Sequence, residues 1–540
     1  MKTLRMSSPR QRRSGLGRVG LLLIALGWCT LAGAQLWVTL DTPPNFNPGV
    51  TLLLTDGTVL VQQFNTSNWW KLVPPPHNSL SYPAATLTKV KPFPGSMNYA
   101  PLFFASAVLT DGRVIVEGGE YNSGSKDWTT EGAIYDPTAG PLGTWTQVFP
   151  PMGWTQIGDV QSVVLPDGTF MMANKCPIKT CSTSGPPPQA ALFEPGILGW
   201  KVLTSTKGYI GKFDQNTEEG WTLLPNGNLL TVDTYVGVPS DPTGTNYEIY
   251  NPATGVWSSG PGSGTGVQLW DSDEDGCSGG KPSHEIGPAV LRYDGTVFAT
   301  GANKCKGLPG HTAIYDTASG SWTAGPDFPG AHDSADAPAS ILIDGDVLVD
   351  TNPGINGKPS TFYTFNGTKL HKIAPPAGLG NVSTEDGRML ALPDGSVLFT
   401  QGKIPQIWFF YPAGIYKPEW QPTISTYPAD VYENCTYTVT GTQFNGLSQG
   451  AAYGDDAQSA TNYPLVLFTN TISGHQFFAR THDFSTMAVA TGGAIVSTEF
   501  DVIPQGFEAG DGTMVVIANG IPSKPVGITL HLGGAGAGPC

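Results

Sequence analysis

The chain has 540 residues, of which only 13% are charged, with 69 glycines, 47 prolines and a formal net charge of −15 at pH 7. This much glycine and proline, together with 10% aromatic residues, favours many short strands joined by turns over helices. The acidic charge makes nucleic acid an improbable partner, and the length predicts more than one domain or one large repeat array.

The first 34 residues have the pattern of a secretory signal. Six basic residues and no acid precede Val19, where an apolar run begins that ends at Leu31 and is followed by Ala32-Gly33-Ala34. We predict cleavage after Ala34 and a secreted, extracellular or periplasmic, protein. No later stretch approaches the ~18 apolar residues of a membrane span, so none is expected. Removing six of the 28 basic residues changes the charge from −15 to 22 − 43 = −21.

One hairpin pattern recurs seven times between residues 51 and 402: an apolar strand, Asp-Gly or Asn-Gly, and a second apolar strand, as in TLLLTDGTVLV and LALPDGSVLFTQG. The turns begin at Asp56, Asp111, Asp167, Asn226, Asp294, Asp344 and Asp394. Their spacing of 50 to 68 residues is close to the ~50-residue period of kelch propeller blades. We expect two-residue turns, because both central positions of such pairs tolerate positive φ.

A second half-repeat lies between the hairpins, as in AIYDTASGSW, and completes four strands per blade. Its tryptophans are expected to pack inside the blades: Trp145, Trp200, Trp257 and Trp322. The sequence therefore predicts an all-β chain with a seven-bladed propeller over residues 35–421, in which residues 35–47 either precede the first blade or close the ring. After about Pro422 the alternation is typical of a small β-sandwich, which we place at 422–540.

The mature chain has six cysteines, an even number that favours disulfides in an oxidising compartment. The most economical pairing joins Cys176 to Cys181, Cys277 to Cys305 and Cys435 to Cys540. The sequence leaves the other connectivities open.

Acidic residues recur at one position of the repeat, eight residues before each turn. These positions hold Pro48, Phe103, Asp159, Glu218, Ile286, Asp336 and Asp386. A shared offset places side chains at the same height around the axis, so we predict a ligand-binding mouth formed by Asp159, Glu218, Asp336, Glu385, Asp386, His284 and Glu285. Glu219, His332 and Asp333 extend the same rim. In such a mouth, a cation or a ligand rich in hydrogen-bond donors would neutralise the carboxylates. The alternative is that these acids only cap turns and hold water.

A calcium loop is predicted in the longest connection between hairpins. Asp271, Asp273 and Asp275 followed by Gly276 reproduce the Asp-x-Asp-x-Asp-Gly opening of such a loop, and hard oxygen ligands favour calcium. Pro282 stands where the closing glutamate belongs. A solvated acidic loop next to Cys277 is the alternative.

The seventh hairpin leading into IWFFYPAGIYKPEWQPTI, and the terminal IANGIPSKPVGITL, resemble the galactose oxidase and glyoxal oxidase family. The resemblance implies a kelch propeller followed by an immunoglobulin-like (E-set) domain. It also implies a copper ion on the axis, held by two tyrosines and two histidines, with one tyrosine cross-linked to a cysteine. Aligned by the turns, the cysteine position is Phe103, the cross-linked tyrosine is Asp159, and a Tyr-His pair is Glu385-Asp386. Only the histidine of the C-terminal domain has a counterpart, His482.

Three functions follow from these residues. The copper radical centre is not expected, because Asp, Glu and Phe cannot store the second electron of an alcohol oxidation. The preferred interpretation is a secreted binding or structural module that recognises carbohydrate or another polar ligand at the mouth, with calcium as a candidate cofactor. The alternatives are a divergent copper oxidoreductase built around His482, and an enzyme that acts on glycans through paired carboxylates.

Overall fold

The computed structural model describes residues 35–175, 190–203, 212, 216–234, 245–260, 264–271, 283–303, 307–454, 456, 459–504 and 506–533. The predicted signal segment 1–34 lies outside these ranges, as do Cys176, Cys181, Cys277, Cys305 and Cys540. Throughout these ranges the regular structure consists of β-strands and single-turn 3-10 helices. None of the helices described is long and apolar enough to cross a membrane.

The first twenty strands form the beginning of the ring. They are β1 Leu36–Thr39, β2 Pro48–Leu53, β3 Val59–Gln63, β4 Trp69–Val73, β5 Thr86–Lys89, β6 Pro101–Leu102, β7 Ala105–Val108, β8 Val114–Glu117, β9 Tyr121–Asn122, β10 Ser125–Lys126, β11 Gly132–Asp136, β12 Thr144–Val148, β13 Ser162–Val164, β14 Phe170–Ala173, β15 Ala190–Glu194, β16 Gly199–Val202, β17 Thr222–Leu223, β18 Leu229–Val232, β19 Tyr247–Asn251 and β20 Val256–Ser259.

The strands that follow complete the ring and then form the C-terminal part. They are β21 Ala289–Leu291, β22 Thr296–Asn303, β23 Gly310–Asp316, β24 Ser321–Ala324, β25 Ala339–Ile341, β26 Val347–Thr351, β27 Thr361–Phe365, β28 Leu370–Ile373, β29 Gly387–Ala391, β30 Val397–Gln401, β31 Ile407–Tyr411, β32 Thr423–Thr426, β33 Asp430–Tyr432, β34 Thr436–Thr442, β35 Ala451–Ala452, β36 Leu465–Asn470, β37 Gln476–Phe478, β38 Arg480–His482, β39 Val496–Asp501, β40 Gly510–Ala518, β41 Ile521–Pro522 and β42 Val526–His531. Short 3-10 turns occur at Tyr82–Ala84, Pro329–Ala331, Thr384–Asp386 and Pro418–Trp420.

Seven antiparallel sheets of four strands follow one another along the chain. They are β2 to β5, β7-β8-β11-β12, β13 to β16, β17 to β20, β21 to β24, β25 to β28, and β29-β30-β31 with β1 at its outer edge. The first strand of the first sheet, β2, contacts both β7 and β29, so the seventh sheet lies beside the first. Because β1 pairs with β31, the segment before the first sheet supplies the last strand of the seventh and closes the ring.

The seven turns share one geometry, which differs from the predicted two-residue turn. In the first, Gly57 N–H donates to Leu54 C=O at 3.0 Å and Leu54 N–H donates to Thr58 C=O at 2.7 Å. The loop therefore has three residues, and only its glycine has positive φ, 77° at Gly57. The side chain before the glycine caps the loop: Asp56 Oδ1 accepts Thr58 N–H at 3.0 Å, and the other six repeats make the same bond.

Burial explains why these segments are strands. The first strands β2, β7 and β13 are buried along their whole length, as expected for strands covered on both faces, while outer strands such as β12 contain buried, half-buried and exposed positions. The four predicted tryptophans pack as expected against aromatic neighbours, for example Trp257 against Tyr250 with ring centroids 5.1 Å apart. The sheets thus pack their aromatic residues against one another.

The C-terminal part consists of two stacked sheets, β32-β34-β39-β38 and β33-β42-β40-β36-β37. Val439, Phe468 and Phe500 are among the side chains that fill the space between them. This part covers the end of the ring that carries the turns: Thr481 N–H donates to Thr55 C=O at 3.1 Å, and Met487 N–H donates to Pro166 C=O at 3.0 Å. We call this end of the ring the turn end.

One stretch of the C-terminal part enters the ring. The axial segment, residues 450–454, 456 and 459–461, contains β35, which pairs with the first strand of the sixth sheet. It also approaches the first sheet, where Ser459 Oγ lies 3.5 Å from Thr51 C=O, and it contacts β21 and β29. Because these contacts come from several sheets, the segment lies inside the ring.

Candidate functional site

The end of the ring opposite the turn end is called the mouth, and it holds the residues that precede each first strand. Since the two strands of each hairpin are antiparallel, the residues that follow the second strand return to the same end. The mouth is therefore formed by two positions of every repeat. The structure brings the predicted carboxylates of Asp159, Glu218, Asp336, Glu385 and Asp386 to this end.

Lys175 joins the third and fourth sheets at the mouth. Its Nζ lies 2.7 Å from Asp159 Oδ1 and 3.6 Å from Glu218 Oε1. All three side chains are largely buried, with exposed fractions of 11%, 8% and 13%. Burial of a carboxylate is tolerated where a cation neutralises it, so a lysine of this chain takes part of the role that was expected for a bound cation.

Lys403 performs the same function in the seventh sheet. Its Nζ forms an ion pair with Asp386 and lies 3.5 Å from Glu385 Oε1. Glu385 keeps 27% of its side chain exposed, and its pKa is raised, first by burial and then by Asp386. Glu385 is thus a mouth carboxylate that a ligand from solvent can reach.

The axial segment reaches the mouth and contacts the seventh sheet. Tyr453 Oη donates to Glu385 C=O at 2.9 Å, and its ring lies 3.8 Å from the Arg388 guanidinium carbon. Arg388 also lies 3.6 Å from Asp456 Oδ2 and donates to Glu385 C=O at 2.8 Å. The C-terminal part therefore contributes a tyrosine and a carboxylate to the mouth.

Asp336 lies at the centre of the acidic groups. Burial raises its pKa well above the usual range; Glu218, Asp456 and Glu385 raise it further, and a hydrogen bond with the Glu285 side chain opposes them. Carboxylates from four sheets and from the axial segment are thus close enough to influence one another. A raised pKa of this kind keeps a carboxyl protonated, as like charges close together require.

A small sheet, β6-β9-β10, and the loops beside it lie between β8 and β11 or just before β7, and they add an indole to the mouth. Lys126 lies 2.6 Å from Glu120 and 5.4 Å from the Trp128 ring, and Lys175 lies 5.2 Å from the same ring. The pKa of Glu120 is raised by burial and then by Asp159, which connects this group to the third sheet. The mouth therefore combines carboxylates, lysines and an indole.

Backbone strain marks three of the seven positions that lie eight residues before a turn. Phe103, Glu218 and Asp336 have φ of 53°, 59° and 44°, in the left-handed region that residues with a Cβ rarely adopt. Each such residue costs on the order of 1–3 kcal/mol, and such strain clusters at functional sites. The strain thus recurs at one position of the repeat, at the mouth.

The predicted histidines at the mouth make structural contacts. His284 Nδ1 lies 2.8 Å from Thr234 C=O, and the ring stacks on Trp270 with centroids 5.2 Å apart. Burial lowers the pKa of His284 and that of His332, whose Nδ1 lies 3.4 Å from Thr351 Oγ1. Glu285 donates its backbone N–H to Asp271 Oδ1 at 3.0 Å.

Asp271, the first residue of the predicted calcium loop, is fully buried and serves the chain itself. It accepts Ser283 Oγ–H at 2.7 Å as well as the backbone N–H of Glu285. Asp273 and Asp275 lie outside the described residues. The calcium loop therefore stays a prediction, with its first carboxylate engaged in bonds to the returning chain.

His482 lies away from the mouth. It is the last residue of β38, beside Thr481, whose backbone N–H bonds to Thr55 at the turn end. Its Nδ1 lies 2.8 Å from Asp483 and its Nε2 lies 3.2 Å from Asp501. The stretch of the C-terminal part that enters the ring is the axial segment, so the described residues do not bring His482 to the other predicted site residues.

Cys435 is the one predicted disulfide residue within the described ranges, and it is disulfide-bonded. The other five mature cysteines lie outside those ranges, so the predicted pairing with Cys540 stays a prediction.

Several mouth residues were missed by the sequence analysis: Lys175, Lys403, Arg388, Tyr453, Asp456 and Trp128. A signal existed for the first two. They lie eight residues after Asp167 and nine after Asp394, at the mirror position of the hairpin. No such signal exists for Tyr453 and Asp456, because the axial segment is distant in sequence from the repeats.

The residues at the aligned copper positions do not fit the family's radical centre. Phe103 is an apolar ring 5.5 Å from the Arg388 guanidinium, and Asp159 is paired with Lys175. Lys403 neutralises Glu385 and Asp386. Cations of the chain therefore stand beside the carboxylates at the positions that the sequence resemblance aligns with phenol and imidazole ligands.

No family model matches this sequence, and no curated protein matches it. One similar solved structure is that of a fungal alcohol oxidase of the AA5 family in complex with copper. It is 12% identical with a TM-score of 0.46, and the match covers 93% of this chain and 100% of that chain.

Proposed function

We propose that the chain is an exported, galactose-oxidase-like protein in which residues 35–421 form a seven-bladed kelch-type propeller and residues 422–540 an immunoglobulin-like sandwich. Its mouth binds a carbohydrate or another polar ligand without copper-radical chemistry. Seven consecutive four-stranded sheets, with the last beside the first and closed by β1, support the propeller.

The observation that carries the binding proposal is the continuity of polar groups around the mouth. Groups from different sheets interact: Glu120 with Asp159, Asp159 through Lys175 with Glu218, and Glu218 with Asp336. The fifth sheet takes part through the hydrogen bond between Glu285 and Asp336. The series ends at Glu385 in the seventh sheet. Acids that only capped their own turns would make local bonds, whereas these groups interact between sheets.

A sugar fits this chemistry. Carboxylates accept hydrogen bonds from hydroxyl groups, and charge-assisted bonds of this kind are roughly twice as strong as neutral ones. The half-buried ring of Trp128 offers an apolar surface beside them. The negative net charge and the acidic mouth disfavour anionic ligands, so neutral and amino sugars are the favoured classes.

Ligand-observed NMR with galactose, glucose, xylose, glucosamine and their short oligomers tests the proposal. We expect at least one sugar to bind the wild type, and Glu385→Gln to weaken it by about tenfold or more, which corresponds to ~1.4 kcal/mol. Asp430→Asn is the control, because this exposed aspartate is paired with His531 in the C-terminal part, on β33 and away from the mouth. Absence of binding by every sugar, or equal binding by Glu385→Gln, would contradict the proposal.

The oxidase alternative has its own readout. The protein is loaded with copper and incubated with galactose and primary alcohols while hydrogen peroxide is measured. We expect no peroxide above a copper-only control. Turnover that depends on bound copper and disappears in Glu385→Gln would instead establish the oxidoreductase.

The glycan-cleaving alternative rests on paired carboxyl groups, and Glu285 and Asp336 are one such pair at the mouth. They are joined by a hydrogen bond. Glycosidases need a separation of ~5 to 9 Å between the two carboxyl groups, so that sugar or water fits between them. This pair is too close for that role, which favours binding over hydrolysis at Asp336.

A further inference from the structure

Two histidines and a glutamate meet where the first sheet contacts the C-terminal part, far from the residues used above. His77 lies in the loop between β4 and β5, His475 immediately precedes β37, and Glu508 precedes β40. One ligand atom from each of the three lies within 4.8 Å of the other two. The sequence analysis did not single out any of them, because they are up to 431 positions apart.

The distances suit a small cation. His475 Nδ1 lies 2.6 Å and His77 Nδ1 3.8 Å from the same atom, Glu508 Oε1. In a tetrahedral zinc site with bonds of 2.0–2.1 Å, ligand atoms are about 3.4 Å apart. The 2.6 Å distance between His475 and Glu508 is a hydrogen bond, and a bound metal would take the place of its proton. Binding would then require only small shifts of two side chains.

His77 Nδ1 is buried and has no hydrogen-bond partner. Its ring stacks on that of His475 with centroids 4.5 Å apart, so the nitrogen is held beside the cluster and not turned toward solvent. A buried polar atom without a partner is costly, and its position is explained if it serves as a ligand.

The backbone holds the His77 loop against the C-terminal part. Gln476 N–H donates to His77 C=O at 2.9 Å, and Ser79 Oγ–H donates to Gln476 C=O at 3.0 Å. His77 itself has φ of 66°, a left-handed conformation that a residue with a Cβ adopts only at a cost. The loop is therefore fixed in a strained conformation that places the His77 imidazole beside His475 and Glu508.

A serine orients the glutamate of this cluster. Ser473 Oγ–H donates to Glu508 Oε2 at 2.6 Å, which orients the carboxylate and leaves Oε1 for the histidines. Hydrogen bonds of this kind fix ligand orientation in metal sites. The side chains of His77, His475 and Glu508 are 39%, 43% and 29% exposed, so solvent can supply a fourth ligand.

We propose that His77, His475 and Glu508 bind a divalent transition metal of the zinc class, which fastens the first sheet to the C-terminal part. Two imidazoles and one carboxylate are a donor set that zinc accepts, whereas calcium and magnesium prefer oxygen ligands. Because the ligands come from both parts of the chain, metal binding stabilises their association by mass action.

The other cluster with similar residues lacks these features. His482 uses both ring nitrogens in contacts with Asp483 and Asp501. Arg480 also forms an ion pair with Asp501, so a cation of the chain already stands beside that cluster. The first cluster alone combines two imidazoles with a buried, unpartnered nitrogen among the described residues.

Zinc titration of the whole mature chain, after removal of metals with a chelator, tests the proposal. We expect the wild type to bind one Zn²⁺ that both His475→Ala and Glu508→Gln lose, with an affinity drop of about 100-fold or more, and Zn²⁺ to raise the wild-type melting temperature. Glu508→Gln is the gentler variant, because the amide oxygen can still accept the bond from Ser473. His311→Ala is the matched control, since His311 is hydrogen-bonded to Asp327 at 2.7 Å without a second histidine.

Retention of the same zinc affinity by the folded Glu508→Gln protein would overturn the proposal. So would a loss of equal size in His311→Ala, or a wild-type melting temperature that Zn²⁺ does not raise. Since the readouts are zinc affinity and melting temperature, they are independent of sugar binding at the mouth.

Discussion

The two ends of the ring use acidic residues in different ways. At the turn end, each aspartate or asparagine bonds to the backbone two residues further on, as Asp167 Oδ1 does with Thr169 N–H at 3.0 Å. At the mouth, Asp159 and Glu218 depend on a lysine and on carboxylates from other sheets. The same residue types thus stabilise a local turn at the turn end and connect different sheets at the mouth. A carboxylate is a functional candidate when its partners are distant in sequence.

The largest contrast is expected from removing a lysine at each end. Lys175→Met leaves Asp159 and Glu218 largely buried without their cation, which we expect to cost about 3–5 kcal/mol of unfolding free energy. Lys71→Met removes a weaker pair, 3.5 Å from Asp56, and costs at most ~1 kcal/mol, because Asp56 keeps its bonds to Thr58. Urea unfolding at pH 7 measures both. Equal losses would show that the two ends do not differ.

The contact between the turn end and the C-terminal part is tested by two glycines of the same turn type. Gly57 and Gly227 have φ of 77° and 83°, so alanine at either costs ~1–2 kcal/mol. A Cβ at Gly57 would also lie 2.2 Å from the Phe478 side chain, whereas at Gly227 the nearest atom is 3.3 Å away. Overpacking adds ~1–3 kcal/mol, so Gly57→Ala should lower the melting temperature more. A lower melting temperature for Gly227→Ala than for Gly57→Ala would contradict the packing of the C-terminal part on the first turn.

The pH dependence of stability should have opposite signs at the two ends. Burial raises the pKa of Asp333, near the mouth, to about 7, so the folded chain holds this proton more tightly than the unfolded chain. Stability is then lost as pH rises from about 4 to about 7, by at most ~1.4 kcal/mol per pH unit, and Asp333→Asn should remove this loss.

Asp56 at the turn end is the control for that sign. Burial raises its pKa, but Lys71 and the bonds from Thr58 outweigh burial and lower it overall. Its stabilisation is therefore present above the unfolded pKa of ~3.9 and is lost in more acidic solution. Urea midpoints of Asp333→Asn and Asp56→Asn between pH 3 and pH 8 check both signs. If the urea midpoints of the wild type and of Asp333→Asn changed in parallel with pH, the raised pKa of Asp333 would be refuted.

The smallest effect is expected for Asp167→Asn. Asn226 occupies the same position in the next repeat and makes the same bond to the backbone at 3.0 Å. An amide oxygen therefore replaces the carboxylate, and the change should stay within ~0.5 kcal/mol. The urea midpoint should be unchanged within this range, and a larger loss would mean that the charge at the turn end matters.

The repeat pattern allowed much of the fold to be predicted from local sequence. All seven hairpins occur at their predicted places, because the apolar runs and the glycine that adopts positive φ act within about ten residues. The turn type was wrong, since the loop has three residues and the aspartate before the glycine has no positive φ. The convergence of Asp159, Glu218 and Asp336 followed from the repeat offset alone.

The sequence by itself determined the strands, the seven turns and the acidic residues that precede four of the hairpins, because these depend on short-range periodicity and backbone preference. Only the tertiary structure decided what neutralises the acids, through Lys175 and Lys403, and which part of the C-terminal region enters the ring. It also brought His77 to His475 and Glu508. These contacts join residues far apart in the chain, and their energies depend on burial and on partners that no local pattern encodes.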